Sequence, residues 1–306
     1  MNTSARRPCI TVVGGANADI IGIPEGRFRL RDSNPGHVRR SPGGVARNIA
    51  ENLARIGAEV RLVTAFGDDE IATWLKQECA DDGIDISHSV DAPGIPGCRY
   101  LAVLDGTGDL AAAVNDMRAL DRLTPDTLTA AAFADVDAVV LDTNLQSSTI
   151  ARVAELAGTA ALVLDPVSTA KAPKSGPIIG RLAAFKGNLR EAEELSGAAG
   201  AEGAAARLLQ TGAKRVFVTM GVGGVWCASA TESFGISALP AQVANATGAG
   251  DAFTAGVAWG LAVRMTLRET ARWASAMSAI ALESERTVSE TMSAEAVEQR
   301  METMSR

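Results

Sequence analysis

Apolar positions fall into short continuous runs that alternate with stretches of helical spacing. Residues 9–13 form one such run ending in Gly14-Gly15, which predicts a buried first strand. Val45, Ile49, Leu53 and Ile56 recur at helical spacing, so 44–56 is predicted as an amphipathic helix stopped by Gly57. A strand over 60–65 and a helix near 69–80 follow. Farther on, strands at 138–141, 161–164, 183–186 and 215–219 alternate with helices at 147–156 and 190–195. Alternation of this kind predicts a mostly parallel sheet covered on both faces. The chain closes with helices over 249–263, 267–282 and 294–301.

Two stretches break the pattern. Residues 26–41 are polar and rich in Arg, Asn, Pro and Gly, and read as short exposed strands. Residues 99–104 and 110–114, joined by Asp105-Gly106-Thr107-Gly108, read as a hairpin. Together they predict a small β lid inserted at about 24–42 and 97–117 of one domain spanning 1–306. The expected class is α/β, a doubly wound, mostly parallel sheet with helices on both faces plus the lid.

Composition narrows the function. At 47% hydrophobic and 21% charged residues, the chain can bury a sizeable core. Aromatic residues make up 4%, and 29 basic against 36 acidic residues leave a charge of −7, so nucleic acid is not an expected partner. His37 and His88 are the only histidines, which excludes a three-histidine zinc site. Cys9, Cys79, Cys98 and Cys227 are scattered and are expected to pack as small apolar residues in a reducing compartment. The opening MNTSARRPC is basic but leads into too short an apolar run for a signal peptide. No run of about 18 apolar residues occurs, so no membrane span and a cytoplasmic location are expected.

The sharpest chemistry lies in Asn245-Ala-Thr-Gly-Ala-Gly-Asp251-Ala-Phe, which leads into an apolar helix. Gly248 and Gly250 allow a tight turn whose N–H groups converge at a helix start, a natural place for an anion. Asp251 among them is either a helix cap or a functional carboxylate. Ser41-Pro-Gly-Gly-Val-Ala-Arg-Asn48 opens another helix with a glycine pair and reads as a tight turn or a polar site. Asn17 and Asp19, just after the first strand, read as an Asx turn or as ligand-facing groups at a strand's carboxyl end. Lys186-Gly-Asn188-Leu-Arg-Glu191, Thr219-Met-Gly221-Val-Gly223-Gly224 and Asp165-Pro-Val-Ser168-Thr-Ala-Lys171 also fall at strand ends. Each fits a turn or a phosphate approach, and a lone lysine fits solvated surface. No G-x-x-x-x-G-K-[ST] occurs, and GGANADIIG does not match G-x-G-x-x-G. A P-loop protein is excluded and a dinucleotide oxidoreductase disfavoured.

These strings, in this order, resemble the ribokinase-like (PfkB) family of carbohydrate and nucleoside kinases. PGGVARN and NATGAGDAF are similar to its two signatures, FGDDE and GNLREAEEL also match, and the resemblance spans about 9–300. It implies a doubly wound α/β fold with a β lid that closes over a sugar. It implies that Asp251 is the general base and that Gly248, Ala249 and Gly250 form the anion hole for the transferring phosphoryl group. It assigns the ribose hydroxyls to Asn17, Asp19, Gly43, Gly44 and Asn48. Asn188 and Glu191 would lie beside the phosphates of ATP and Mg2+, Glu191 through water, and Thr219, Gly221 and Gly223 would line the nucleotide site. Within the family, GGANADI, DSNPG, GGVARNIAENLARIG, NDM and DPVSTAK are similar to strings of the kinases acting on pseudouridine. That subgroup implies a 5′-hydroxyl acceptor on a ribosyl compound, with Ser33, Asn34 and Lys171 facing the base. Ribokinase or another sugar or nucleoside kinase is the alternative, and a non-catalytic binding protein a more distant one. Many relatives carry Asp where this chain has Asn245, and the later turn near 285–287 also departs from the family, so a monovalent cation is not expected to matter. An exposed lid edge leaves room for a homodimer through the lid.

Overall fold

The computed structural model describes residues 6–302, so residues 1–5 of the basic opening segment lie outside the described residues. β1 (Cys9–Val13) leads into a lid strand, β2 (Asn17–Pro24), which returns as β3 (Gly36–Gly43). α1 (Val45–Arg55), β4 (Glu59–Val63), the two-residue β5 (Ala65–Phe66), α2 (Glu70–Asp81) and β6 (Val90–Asp91) follow. The second lid pair is β7 (Arg99–Leu104) and β8 (Leu110–Asp116). The body then continues through β9 (Ala138–Asp142), α3 (Ser147–Leu156), β10 (Ala161–Asp165), β11 (Ala184–Asn188), α4 (Leu189–Ser196), α5 (Ala201–Gln210) and β12 (Arg215–Thr219). β13 (Val225–Ser229) and β14 (Ser233–Ile236) precede α6 (Ala249–Ala262), α7 (Leu267–Leu282) and α8 (Ala294–Glu302).

The main sheet has the order β14-β13-β12-β11-β10-β9-β1-β4. β12 through β4 pair in parallel, and β13 and β14 add an antiparallel edge. Successive side chains of a strand point to opposite faces. Val12, Ala138 and Val140 therefore enter one core with α1, α6 and α7, while Val13, Val139 and Leu141 enter the other with α3 and α5. The near-continuous apolar runs seen in the sequence are the signature of strands buried on both sides. Among the described residues, no helix is long and apolar enough to cross a membrane. All four cysteines are buried thiols.

The lid is a four-stranded sheet of order β3-β2-β7-β8. It starts earlier than the sequence predicts, because Asn17 and Asp19 open β2 and do not sit in a free turn. Residues 26–35 are not strand. Asn34 instead closes that loop, its side chain accepting from the Arg29 N–H at 2.7 Å and donating to the Arg29 carbonyl at 2.9 Å. α5 was not expected: Ala204, Ala205 and Leu208 form its buried stripe, and alanines with an internal Gly203 mask the period.

α6 and α7 approach closely because Gly256 and Gly260 lack side chains. A Cβ on Gly256 would meet Ala274 in α7, and one on Gly260 would meet Thr270. α1 is tied to the end of α2 by the buried Arg47, paired with Glu51 at 2.6 Å and Asp82 at 2.9 Å. Breaking such a pair would leave an uncompensated buried charge.

Candidate active site

The glycine turn before α6 is built as the sequence implies. Asn245 Oδ1 accepts from the Thr247 N–H at 2.9 Å, and Gly248 adopts φ 89°. A Cβ there would run into the Thr287 carbonyl oxygen, so both conformation and space demand glycine. α6 begins at Ala249, which sets the N–H groups of Ala249, Gly250 and Asp251 in its first turn, where they lack partners within the helix.

Asp251 lies half-buried in that turn and accepts from Asn48 Nδ2 at 2.8 Å. Burial, then the neighbouring Asp165 carboxylate, push its pKa up to about 7, against the opposing pull of Asn48 and Lys186. A carboxyl poised there suits a general base near neutral pH.

Lys186 is the principal residue that sequence reasoning left unassigned. Lys186 is 5% exposed, and its ammonium pairs with Asp165 Oδ2 at 3.1 Å, while Thr254 Oγ1 of α6 donates to the same oxygen at 2.7 Å. A Cβ on Gly250 would stand 3.1 Å from Nζ, so the charge lies against the glycine turn. Burial opposes the charged form, but Asp165, Asp251 and Glu191 outweigh it and hold its pKa above the ordinary lysine value. A charged residue within the buried strand segment 184–187 was the available signal.

The residues that the resemblance assigns to the sugar gather at the join of lid and body. Asn17 Nδ2 donates to Asp19 Oδ1 at 2.6 Å, and burial raises the Asp19 pKa. Asn17 and Asp19 pair in register with Gly43 and Ser41, and a Cβ on Gly43 would collide with the Asp19 carboxylate. Gly44 caps α1 at φ 97° and packs on the Gly15 carbonyl. Asn48, one turn into α1, carries this cluster to Asp251.

Asn188 and Glu191 form a reciprocal cap on α4. Asn188 Oδ1 accepts from the Glu191 N–H at 3.0 Å, and Glu191 Oε2 accepts from the Asn188 N–H at 2.8 Å. Burial raises the Glu191 pKa. Its second oxygen is outside the cap. No group of three or more His, Cys, Asp or Glu side chains positioned to hold a metal occurs among the described residues.

Thr219 and Gly221 line a cleft of about 270 Å3 that also reaches Ala249, Gly250 and Phe253. Gly224, with φ 84° and no room for a Cβ beside the Ile236 carbonyl, lines it where Gly223 was expected. Gly223 instead donates to the Met220 carbonyl within the 3-10 turn. Lys171 Nζ donates to Asn144 Oδ1 at 2.6 Å, near the turn after β1. Ser33 and Asn34 are not brought to this cluster. They lie on the exposed lid loop, which Asn34 folds back on itself and Ser33 joins through its own N–H to Asp32 Oδ1.

Asn245 Nδ2 donates to the Glu285 carbonyl at 3.2 Å. An amide N–H thus bonds a carbonyl of the turn that the resemblance assigns to a monovalent cation.

A half-buried carboxylate in a helix-start turn, the Asn17–Asp19 cluster at the lid join and a cleft of about 270 Å3 thus lie side by side. Residues 8–294 match the family described as pfkB family carbohydrate kinase, and the chain belongs to that family. It is 34% identical to a pseudouridine kinase of Escherichia coli over 286 residues, covering 91% of each chain. Among solved structures it is similar to a carbohydrate kinase from Agrobacterium tumefaciens, with TM-score 0.85 and 29% identity over 96% of this chain and 97% of that one. An Arabidopsis thaliana ribokinase complexed with ribose and ATP shares the ribokinase-like fold, with TM-score 0.83 and 20% identity over 97% and 99% of the two chains.

Proposed function

We propose that the protein transfers the γ-phosphoryl group of ATP to the 5′-hydroxyl of a ribosyl substrate, and that this substrate is pseudouridine. The observation that carries the reading is the Asn48–Asp251 hydrogen bond, which joins the hydroxyl-binding helix to the carboxylate in the glycine turn. Asp251 takes the hydroxyl proton as the oxygen attacks. The N–H groups of Gly248, Ala249 and Gly250 offset the charge on the transferring group, and the Lys186 ammonium lies against the same turn. Asp19 and Asn17 hold vicinal ribose hydroxyls, with Gly43 and Gly44 giving them room. Mg2+, when bound, neutralises phosphate charge, and Glu191 would reach it through water.

The likeness to the Escherichia coli pseudouridine kinase supports the substrate. The Arabidopsis ribokinase fold, complexed with ribose and ATP, supports ribose as the second reading. An ADP-release assay with ribose, uridine, pseudouridine and fructose separates them. Greatest kcat/KM for pseudouridine is expected, and a preference for ribose would establish the second reading. The proposal extends to a homodimer paired through the lid, where Val38, Leu110 and Val114 are exposed beside unpaired strand edges. Light scattering that returns a monomer mass would remove that extension.

A further inference from the structure

α1 carries a second asparagine one turn beyond Asn48. Residues four apart on a helix are neighbours on one face, and their side chains lean toward the helix N-terminus. Asn52 follows that rule: its Nδ2 donates to the Asn48 carbonyl oxygen at 2.8 Å. Asparagine is a poor helix former because its amide competes for backbone groups. Asn52 nevertheless stands mid-helix with 0% exposure, where Ala or Leu would serve packing better.

Both amides have a fixed orientation. A backbone carbonyl only accepts, so the nitrogen of Asn52 faces it. A carboxylate likewise only accepts, so the nitrogen of Asn48 faces Asp251 at 2.8 Å. Two oxygens are left over, Asn48 Oδ1 and Asn52 Oδ1. Both are closed to solvent, and neither has a hydrogen-bond partner among the described residues. α6, which packs on α1, supplies no donor just after Asp251. Ala252, Phe253, Ala255 and Gly256 carry none, and Thr254 Oγ1 is engaged with Asp165 at 2.7 Å and the Gly250 carbonyl at 3.1 Å. A buried acceptor without a donor is costly, and two of them one helical turn apart suit a single donor with two hydrogens.

We propose that Asn52 is a positioning residue for the base, and that one ordered water beside α1 donates to Asn48 Oδ1 and Asn52 Oδ1 together. This assignment rests on Asp251 being the base, as proposed above. The water fixes which way the Asn48 amide points. An amide free to turn would, once Asp251 has taken its proton, offer Oδ1 to the new O–H and hold the proton there. Locked, Asn48 keeps an N–H on the carboxylate and favours its charged form. An acceptor hydroxyl cannot stand in for the water at Asn52, because that side chain is wholly buried. The charged groups that also bear on Asp251 are Asp142 of β9, Asp165 of β10 and Lys186 of β11, and a substitution at Asn52 leaves all three in place.

Asn52→Leu removes the acceptor and puts an apolar group in its place. With the Asn48 amide unlocked, the acid limb of kcat/KM is expected to move up by about half a pH unit. That shift reads as a loss of about threefold near pH 6 and a return to within about twofold of wild type near pH 9, with KM for ATP unchanged. An unmoved limb, or a loss of equal size at both pH values, would make Asn52 a packing residue and overturns the proposal. Asn52→Ala carries the same measurement if Asn52→Leu does not fold. A crystal structure of the wild-type protein tests the water by itself. One water within hydrogen-bond distance of both oxygens is expected, and its absence overturns the proposal. Asp251→Asn, assayed alongside, separates the two readings. If that variant stays active, the base assignment falls. If it is inactive while the limb of the Asn52 variant is unmoved, the role of Asn52 alone falls.

Discussion

Asn48 and Asp251 are 203 positions apart in sequence, and the Asn48 amide donates to the Asp251 carboxylate at 2.8 Å. Under the proposed function, the contact orients the base with a donor from the helix assigned to the sugar. Asp251→Asn is expected to lower kcat by about 10²–10⁴, with ATP affinity little changed. Retention of more than about a tenth of wild-type kcat would remove Asp251 from the base role.

The pKa of Asp251 near 7 has two consequences of opposite sign. The base form is lost as pH falls through about 7, so kcat/KM of the free enzyme should drop on that acid limb. Stability runs the other way. The folded state raises this pKa above its unfolded value, so the charged form is disfavoured by folding. The penalty grows from about pH 4 upward and is complete above about 7. Asp251→Asn should therefore melt higher than wild type at pH 8 and lose that advantage near pH 4. Equal melting temperatures at pH 8 would contradict the burial argument.

Lys186 pulls the Asp251 pKa down, and its ammonium abuts Gly250. Lys186→Met should move the acid limb to higher pH as well as reduce kcat. A lowered kcat with an unmoved limb would reduce the lysine to a packing role.

Asp19 can accept from two vicinal hydroxyls at once. Asp19→Ala should weaken the nucleoside by roughly 1.5–3 kcal/mol and leave ATP binding alone. Unchanged nucleoside KM and kcat would make Asp19 a lid-strand residue only.

With Asn245 already bonded to the Glu285 carbonyl, potassium should stimulate less than about threefold over buffer free of sodium and potassium, the neutral amide having no charge to attract it. Tenfold stimulation would contradict this.

The signature strings were legible because their demands are local. Gly248 must tolerate φ 89° with a carbonyl against its α-carbon, and glycine alone does both. The same holds for Gly44 before α1. Lys186 was not legible beside the glycine turn, because it acquires meaning from a partner on another strand, Asp165. Asn17 and Asp19 were singled out correctly as neighbours, but their strand was missed. Its pairing with residues 36–43 crosses a polar loop that carries no periodic signal. Gly223 was preferred to Gly224 since spacing alone cannot tell which of three glycines turns toward the cleft.

β3 passes into α1 through Gly44 alone. No loop separates the strand that crowds Asp19 from the helix that carries Asn48. Any displacement of the lid strand would therefore be passed directly to α1 and, through Asn48, to the carboxylate of Asp251. Under the proposed function, seating of the acceptor and readiness of the base would become one event, and the bound nucleotide would be shielded from idle attack by water until an acceptor is seated.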